Sequence, residues 1–147
     1  MEDELDRHIL RLLSQDGRAS LAEISQATGL STSALHQRIK RLESRNTITG
    51  YKARVDREHV GLPLTAFVSL TPLDPARTDE VPAQIEEIAE VESCWSVAGA
   101  ESYILKVNVA TPAELETLLG RIRNVAQVST RTTVVLSTPY EDRPPAI

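Results

Sequence analysis

Apolar residues recur three or four positions apart through the first part of the chain. Through the second they alternate or cluster in short runs. Leu5, Ile9, Leu12 and Leu13 lie at helical spacing and stop at the turn-prone Gln15, Asp16 and Gly17. Leu21, Ile24 and Ala27 make a second stripe. Ser20 before it and Glu23 three residues on form a capping box, and Gly29 ends it. Leu35, Ile39 and Leu42 make a third, capped by Ser31 or Thr32 and closed by Asn46, which tolerates left-handed backbone. Three short helices are predicted. After them "ITGYKARVD", Ile48 to Asp56, alternates and predicts a strand leading into a hinge.

The second part predicts strands and helices in the order βαββαβ. Leu64 to Leu73 is rich in β-formers. Val81, Ile85 and Ile88 stripe a helix within "DEVPAQIEEIAEV". "VESCWSVAGAES" reads as a strand ending at Gly99, and "YILKVNVA" as the next. In "TPAELETLLGRIRNV", Thr111 caps a helix, Pro112 takes its first position and Glu114 the box position. Leu115, Leu118, Leu119 and Ile122 line its inner face. "VSTRTTVVLSTPY" is the last strand. The chain is therefore expected to be α+β. A (winged) helix-turn-helix domain spans 1–50 and a strand and hinge 51–62. A ferredoxin-like βαββαβ domain with both helices on one face of an antiparallel sheet spans 63–138, and a tail 139–147. "AFV", "YIL" and "VVL" place apolar residues on both sheet faces, and helices cover only one. The other is expected to pack on the same face of a second copy, as an isologous dimer. Domains below about 80 residues gain little from their own cores, which favours such association.

Charge sharpens this division. The chain carries 16 Lys and Arg against 21 Asp and Glu. Met1 to Val60 holds 10 basic and 9 acidic residues, and the remainder 6 and 12. The basic excess is concentrated from His36 to Arg57, where Arg38, Lys40, Arg41, Arg45, Lys52, Arg54 and Arg57 meet only Glu43 and Asp56. On the third helix Ser33, His36, Gln37 and Lys40 share the face opposite the apolar stripe, with Arg38, Arg41 and Arg45 at its flanks. Two helices joined by a Gly-containing turn form a helix-turn-helix, whose second helix enters the DNA major groove. Ser, His, Gln and Lys can hydrogen-bond base edges, and arginines suit phosphates. A three-helix domain with a merely solvated polar face would carry the same charges. The cap, turn and inward stripe together favour the DNA reading.

The stretch from "LDRHILRLL" through "DGR", "GLS", "RIKRLE" and "ITGYKARVD" resembles the N-terminal half of Lrp/AsnC (feast/famine) transcription regulators. Asn46 stands where members usually carry Gly. The βαββαβ half resembles that family's regulatory domain. The resemblance implies double-stranded DNA as a partner, with Ser31, Thr32, Ser33, His36, Gln37, Arg38, Lys40, Arg41 and Arg45 as contacts. It implies homodimers that assemble further, for example into octamers. It also implies a small effector, commonly a free amino acid, held near the turn between the second and third strands. That turn is "GAESY" here. Gly99 and Tyr103 match the family pattern, Ser102 replaces Asp, and Glu101 is adjacent. Thr130 and Thr132, on one face of the last strand, would reach the same pocket from a neighbouring copy. A tight turn and a Thr-rich strand without a ligand fit the same residues.

Other classes find little support. Cys94 is the one cysteine, so no disulfide can form within the chain. His8, His36 and His59 are too scattered for a metal site, and no phosphate loop or nucleophile–base set is present, so neither an enzyme nor a cofactor is expected. "MEDELDRHIL" is acidic without a signal-peptide run, and no stretch approaches the ~20 apolar residues of a membrane span, so a cytoplasmic location is expected. The rival function is a small-molecule sensor or self-assembling module without sequence-specific DNA activity.

Overall fold

A computed structural model describes residues 3–147 and divides the chain into two compact units. One is Met1–Arg54 with Tyr140–Ile147, the other Val55–Pro139.

The first unit contains α1 (Glu4–Gln15), α2 (Leu21–Thr28) and α3 (Thr32–Ser44). Each begins on a side-chain cap. Asp3 accepts from the Asp6 N–H, and Ser31 from the Ala34 N–H. Ser20 and Glu23 close a full capping box. Ile9, Ile24, Leu35 and Leu42 are fully buried, and Leu12, Leu13, Leu30, Ile39 and Ile48 pack around them. The stripe expected on α2 reduces to Ile24. Leu21 is 40% exposed and Ala27 is exposed, because a two-turn helix presents only one residue squarely to so small a core.

Asn46 ends α3 as its chemistry predicts. Its φ is 56°, the Thr47 N–H bonds the Leu42 carbonyl at 2.9 Å, and the Asn46 N–H bonds the Glu43 carbonyl at 2.9 Å. This pair of bonds is a Schellman motif, and it brings Ile48 back onto the core. The strand expected over Ile48 to Asp56 does not form. A strand needs a partner ladder, and among the described residues no other strand lies in this unit. The chain alone therefore builds no β wing. Tyr140–Ile147 belongs to the helical unit, where the Ile147 carbonyl accepts from Arg11 Nη1 at 3.0 Å.

The second unit is the expected α+β sandwich. Strands β1 (Leu64–Pro72), β2 (Val91–Ser96), β3 (Tyr103–Val109) and β4 (Val128–Val134) form one antiparallel sheet in the order β2-β3-β1-β4. Helix α5 (Pro112–Ala126) starts at Thr111 with Pro112 in its first turn. The other helix is shorter than its stripe suggests. A 3₁₀ segment, Pro75–Glu80, leads into α4 (Val81–Ile85), which closes on an i→i+3 bond from the Ile88 N–H to the Ile85 carbonyl. Val81, Ile85 and Ile88 are nonetheless all buried.

Directly paired residues share a sheet face. Ala66, Val68 and Leu70 pair with Val107, Leu105 and Tyr103, and all six are buried in the core with α4 and α5 residues. The other face is more polar than expected. It carries Thr65, Phe67 and Ser69 on β1 and Ile104, Lys106 and Asn108 on β3. Arg131 and Thr133 on β4 and Trp95 on β2 join them. From the "VVL" run only Val135 joins it, half-buried opposite Thr65, whose carbonyl accepts from the Val135 N–H at 2.9 Å; β4 ends at Val134, and Leu136 is 97% exposed. A bulge between Val91 and Ser93 sets Glu92 against this face. Its carboxylate accepts from Arg57 Nη2 and Asn108 Nδ2, both at 2.6 Å, and lies 3.6 Å from Lys106 Nζ. Asn108 in turn accepts from Thr65 Oγ1 at 2.8 Å.

Replacing Asn46 tests the helix end. A non-glycine residue without a self-bonding side chain loses roughly 1 kcal/mol in left-handed backbone. Asn46→Ala should lower urea-unfolding stability by about that much, while Asn46→Gly stays within a few tenths of a kcal/mol of the parent.

Candidate nucleic-acid interface and effector turn

The turn between α2 and α3 is built from short-range bonds. Gly29 takes a φ of 74°, which ends α2. Thr28 Oγ1 donates to the Ile24 carbonyl at 2.8 Å, and Ser25 Oγ to the Leu30 carbonyl. Ser31 then starts α3. Leu35 and Leu42 anchor its inner side, so Ser33, His36, Gln37 and Lys40 share the outward side and all are exposed. Ser31 and Thr32 at its start and Arg45 at its end are exposed as well. Lys40 and Arg45 have no side-chain partner among the described residues.

Arg38 and Arg41 stand apart from these. Both turn towards the start of α1, where Asp6 is 1% exposed. Arg38 Nη1 donates to Asp6 Oδ1 at 2.7 Å, and Arg41 Nη2 to Asp6 Oδ2 at 2.7 Å. Arg38 Nη1 also reaches Asp3 Oδ2 at 2.7 Å. One buried carboxylate thus bridges two guanidiniums one turn apart on α3, and ties that helix to α1. Burial alone would raise the Asp6 pKa, but the bonds from Arg38 and Arg41 outweigh it, and the carboxyl is held below its ordinary value. Nothing local in the sequence marks Asp6, since its partners lie 32 and 35 residues away.

The effector candidates fall on different sides of the sheet. Tyr103 is buried on the helix-covered face, and its hydroxyl donates to the Thr78 carbonyl at 3.2 Å. Thr130 pairs with Leu70 and Thr132 with Val68, so both share that face. Thr130 Oγ1 accepts from Arg123 Nη1 at 3.1 Å. Glu101 instead lies 3.5 Å from Arg131, whose strand position is on the opposite face. Ser102 is tied by its backbone, donating to the Leu70 carbonyl and accepting from the Val97 N–H. Gly99 is not in left-handed backbone, and a Cβ there would meet nothing within 4 Å. Its turn therefore has no steric need for glycine. Arg131, Arg123 and Thr78 join the neighbourhood through tertiary pairing that spacing does not reveal.

Among the described residues, no group of three or more His, Cys, Asp or Glu is placed to hold a metal, and no helix is long and apolar enough to cross a membrane.

Comparison with known proteins follows the same two units. Residues 3–43 match the AsnC-type helix-turn-helix domain, and residues 65–145 the Lrp/AsnC ligand binding domain. The chain is 54% identical over 141 residues to the HTH-type transcriptional regulator LrpA of Mycobacterium tuberculosis, covering 96% of this chain and 94% of that protein. It is 36% identical over 138 residues to the leucine-responsive regulatory protein of Haemophilus influenzae, covering 91% and 83%. Among solved structures, the feast or famine regulatory protein from M. tuberculosis complexed with L-methionine superposes with a TM-score of 0.94 at 53% identity, covering 97% of this chain and 99% of that one.

The Asp6 cluster has a pH signature. A carboxylate with a lowered folded pKa contributes stability that is fully present above its unfolded value of about 3.9. That contribution is lost as pH falls through the folded value. Urea unfolding should therefore show stability falling below about pH 4. Asp6→Asn should remove about 2–3 kcal/mol at pH 7 and flatten the acid limb. An unchanged acid limb in that variant would assign the loss to other carboxylates.

Proposed function

We propose a function that proceeds from one premise: this chain belongs to the Lrp/AsnC family of DNA-binding transcription regulators. It is a regulator and not an enzyme. The observation that carries the finer reading is the outward side of α3, where Ser33, His36, Gln37 and Lys40 stand together with no apolar residue among them. That side enters the major groove of double-stranded DNA. Gln37 and Lys40 have the reach and donor geometry for base edges, with Ser33 and His36 beside them. Ser31 and Thr32 at the N-terminus of α3 lie where phosphate oxygens meet helix N–H groups. Arg45 takes a phosphate directly. Arg38 and Arg41 hold the helix through Asp6 and lie at its flanks.

The 63–138 region senses a small effector, and an amino acid is the best-supported class. The methionine-bound relative supports this, as does the leucine-responsive one. Glu101 and Ser102, with the Gly99 turn, supply one wall, and Tyr103 lies on the face that carries Thr130 and Thr132. Thr130 and Thr132 lie on the other side of the sheet from Glu101's partner Arg131. They therefore join one ligand only when another copy brings them. Dimerisation through the uncovered sheet face, where Phe67 and Ile104 are half-buried and Trp95 is 47% exposed, supports both that geometry and paired recognition helices. Further assembly, to an octamer for example, extends the same logic, and a cytoplasmic location goes with the DNA partner. The effector acts by binding one assembly or DNA-bound geometry more tightly than another.

Two measurements test this. A Gln37→Ala, Lys40→Ala double variant should lose about tenfold or more of its affinity for genomic promoter fragments at physiological salt, since a good base contact is worth about 1–3 kcal/mol. Binding as tight as the parent's rules out α3 as the reading element and favours a sensor without sequence-specific DNA activity. For the effector, an amino acid at ~100 times its dissociation constant adds about 2.7 kcal/mol to the folded state. At least one of the twenty should raise the melting temperature, and no rise with any of them removes the amino-acid class.

A further inference from the structure

The two acidic partners of Arg38 differ in one respect. Asp6 is buried and holds both Arg38 and Arg41. Asp3 leaves 53% of its side chain in solvent and holds Arg38 alone. Its two oxygens do separate work. Oδ1 caps α1 by accepting the Asp6 N–H at 2.8 Å, and Oδ2 accepts from Arg38 at 2.7 Å. The four side chains Asp3, Asp6, Arg38 and Arg41 sum to zero charge. While they stay together, the cluster offers a polyanion no net attraction. Arg38 follows Gln37 on α3, and its side chain keeps 24% of its surface in solvent beside Asp3.

We propose that Asp3 occupies, in the free protein, the position on Arg38 that a DNA phosphate oxygen takes in the complex, so that Asp3 sets the strength of phosphate binding while Asp6 keeps the arginine in place. The inference rests on the reading that α3 faces DNA. Physically, an exposed carboxylate–guanidinium pair is worth little and exchanges readily. A phosphate that replaces the carboxylate gains the same charge-assisted bond, and also releases a condensed counterion. The buried Asp6 pair does not exchange, because losing it would leave a desolvated carboxylate unpaired. Asp3 is thus a tuning residue acting through Arg38.

The test uses the full chain and a labelled duplex of random sequence, with dissociation constants measured by fluorescence anisotropy from low to physiological salt. Asn caps helices as well as Asp, so Asp3→Asn keeps the start of α1 and removes only the charge. Asp3→Asn should bind about two- to fivefold tighter than the parent at physiological salt, the range an exposed pair allows. Asp3→Glu should stay near the parent. A merely structural Asp3 would instead leave affinity unchanged or lower it. Removing a negative charge could also help nonspecifically, so the comparison is repeated with Arg38→Gln. There the gain from Asp3→Asn should vanish, and the salt slope should fall by about 0.9, one phosphate's share. An equal gain in both backgrounds overturns the proposal, as does a parent-like Asp3→Asn. If the parent binds no duplex even at low salt, the reading of α3 fails and takes this proposal with it. A parent that binds with normal salt dependence while Asp3→Asn changes nothing defeats the proposal alone.

Discussion

A carboxylate taken out of water stays charged only if cations come with it, and the helical unit is organised around that demand. Asp6 brings two arginines from α3 to one point on α1, and so fixes the helix whose other side is free. The apolar contacts alone would be a slender basis for that orientation, since among the described residues of this unit only Ile9, Ile24, Leu35 and Leu42 are fully buried apolar side chains. They are non-directional and would tolerate small rotations of α3. Two charge-assisted bonds to the two oxygens of one carboxylate tolerate much less. The outward set Ser33, His36, Gln37 and Lys40 inherits its aim from that clamp.

The second unit meets a different constraint. Its sheet has one face under α4 and α5 and one face that the chain's own helices cannot cover. The uncovered face combines Phe67, Ile104 and Trp95 with a satisfied polar set, Thr65, Asn108, Glu92, Arg57 and Lys106. Burial would raise the Glu92 pKa, yet the bonds from Arg57 and Asn108 and the nearby Lys106 hold it lowered. Lys106 and Asn108 are already buried within the single chain, so this polar set is satisfied internally and the apolar part of the face is Phe67, Ile104 and Trp95.

Much of this was legible along the chain. Local signals worked where a residue and its partner lie within a turn of each other. Ser20 with Glu23, Gly29, Asn46, and Thr111 with Pro112 each end or start a helix as their chemistry dictates. The three-residue to four-residue spacing placed α1, α3 and α5, and the βαββαβ order followed from the switch in period. Failures came where the outcome depends on partners distant in sequence. Ile48 to Asp56 alternates like a strand but has nothing in its unit to pair with. Leu21 and Ala27 keep the helical period but have no core to face. The ties of Arg38 and Arg41 to Asp6 leave no mark on the local pattern, because that acid lies more than thirty residues away. The pleat sets Thr130 and Thr132 on the face away from Arg131, the partner of Glu101, which is compatible with their reaching the turn from a neighbouring copy.

Placement of the outward side of α3 in the major groove can be tested directly. A photoreactive side chain placed at position 37 in the full chain, irradiated on a bound promoter fragment, reports this at the level of single bases. Crosslinks should fall on base edges at regularly spaced half-sites and be lost when the major-groove atoms of those bases are chemically blocked. A protein that binds the fragment with full affinity yet crosslinks from position 37 only to backbone, or not at all, would contradict it.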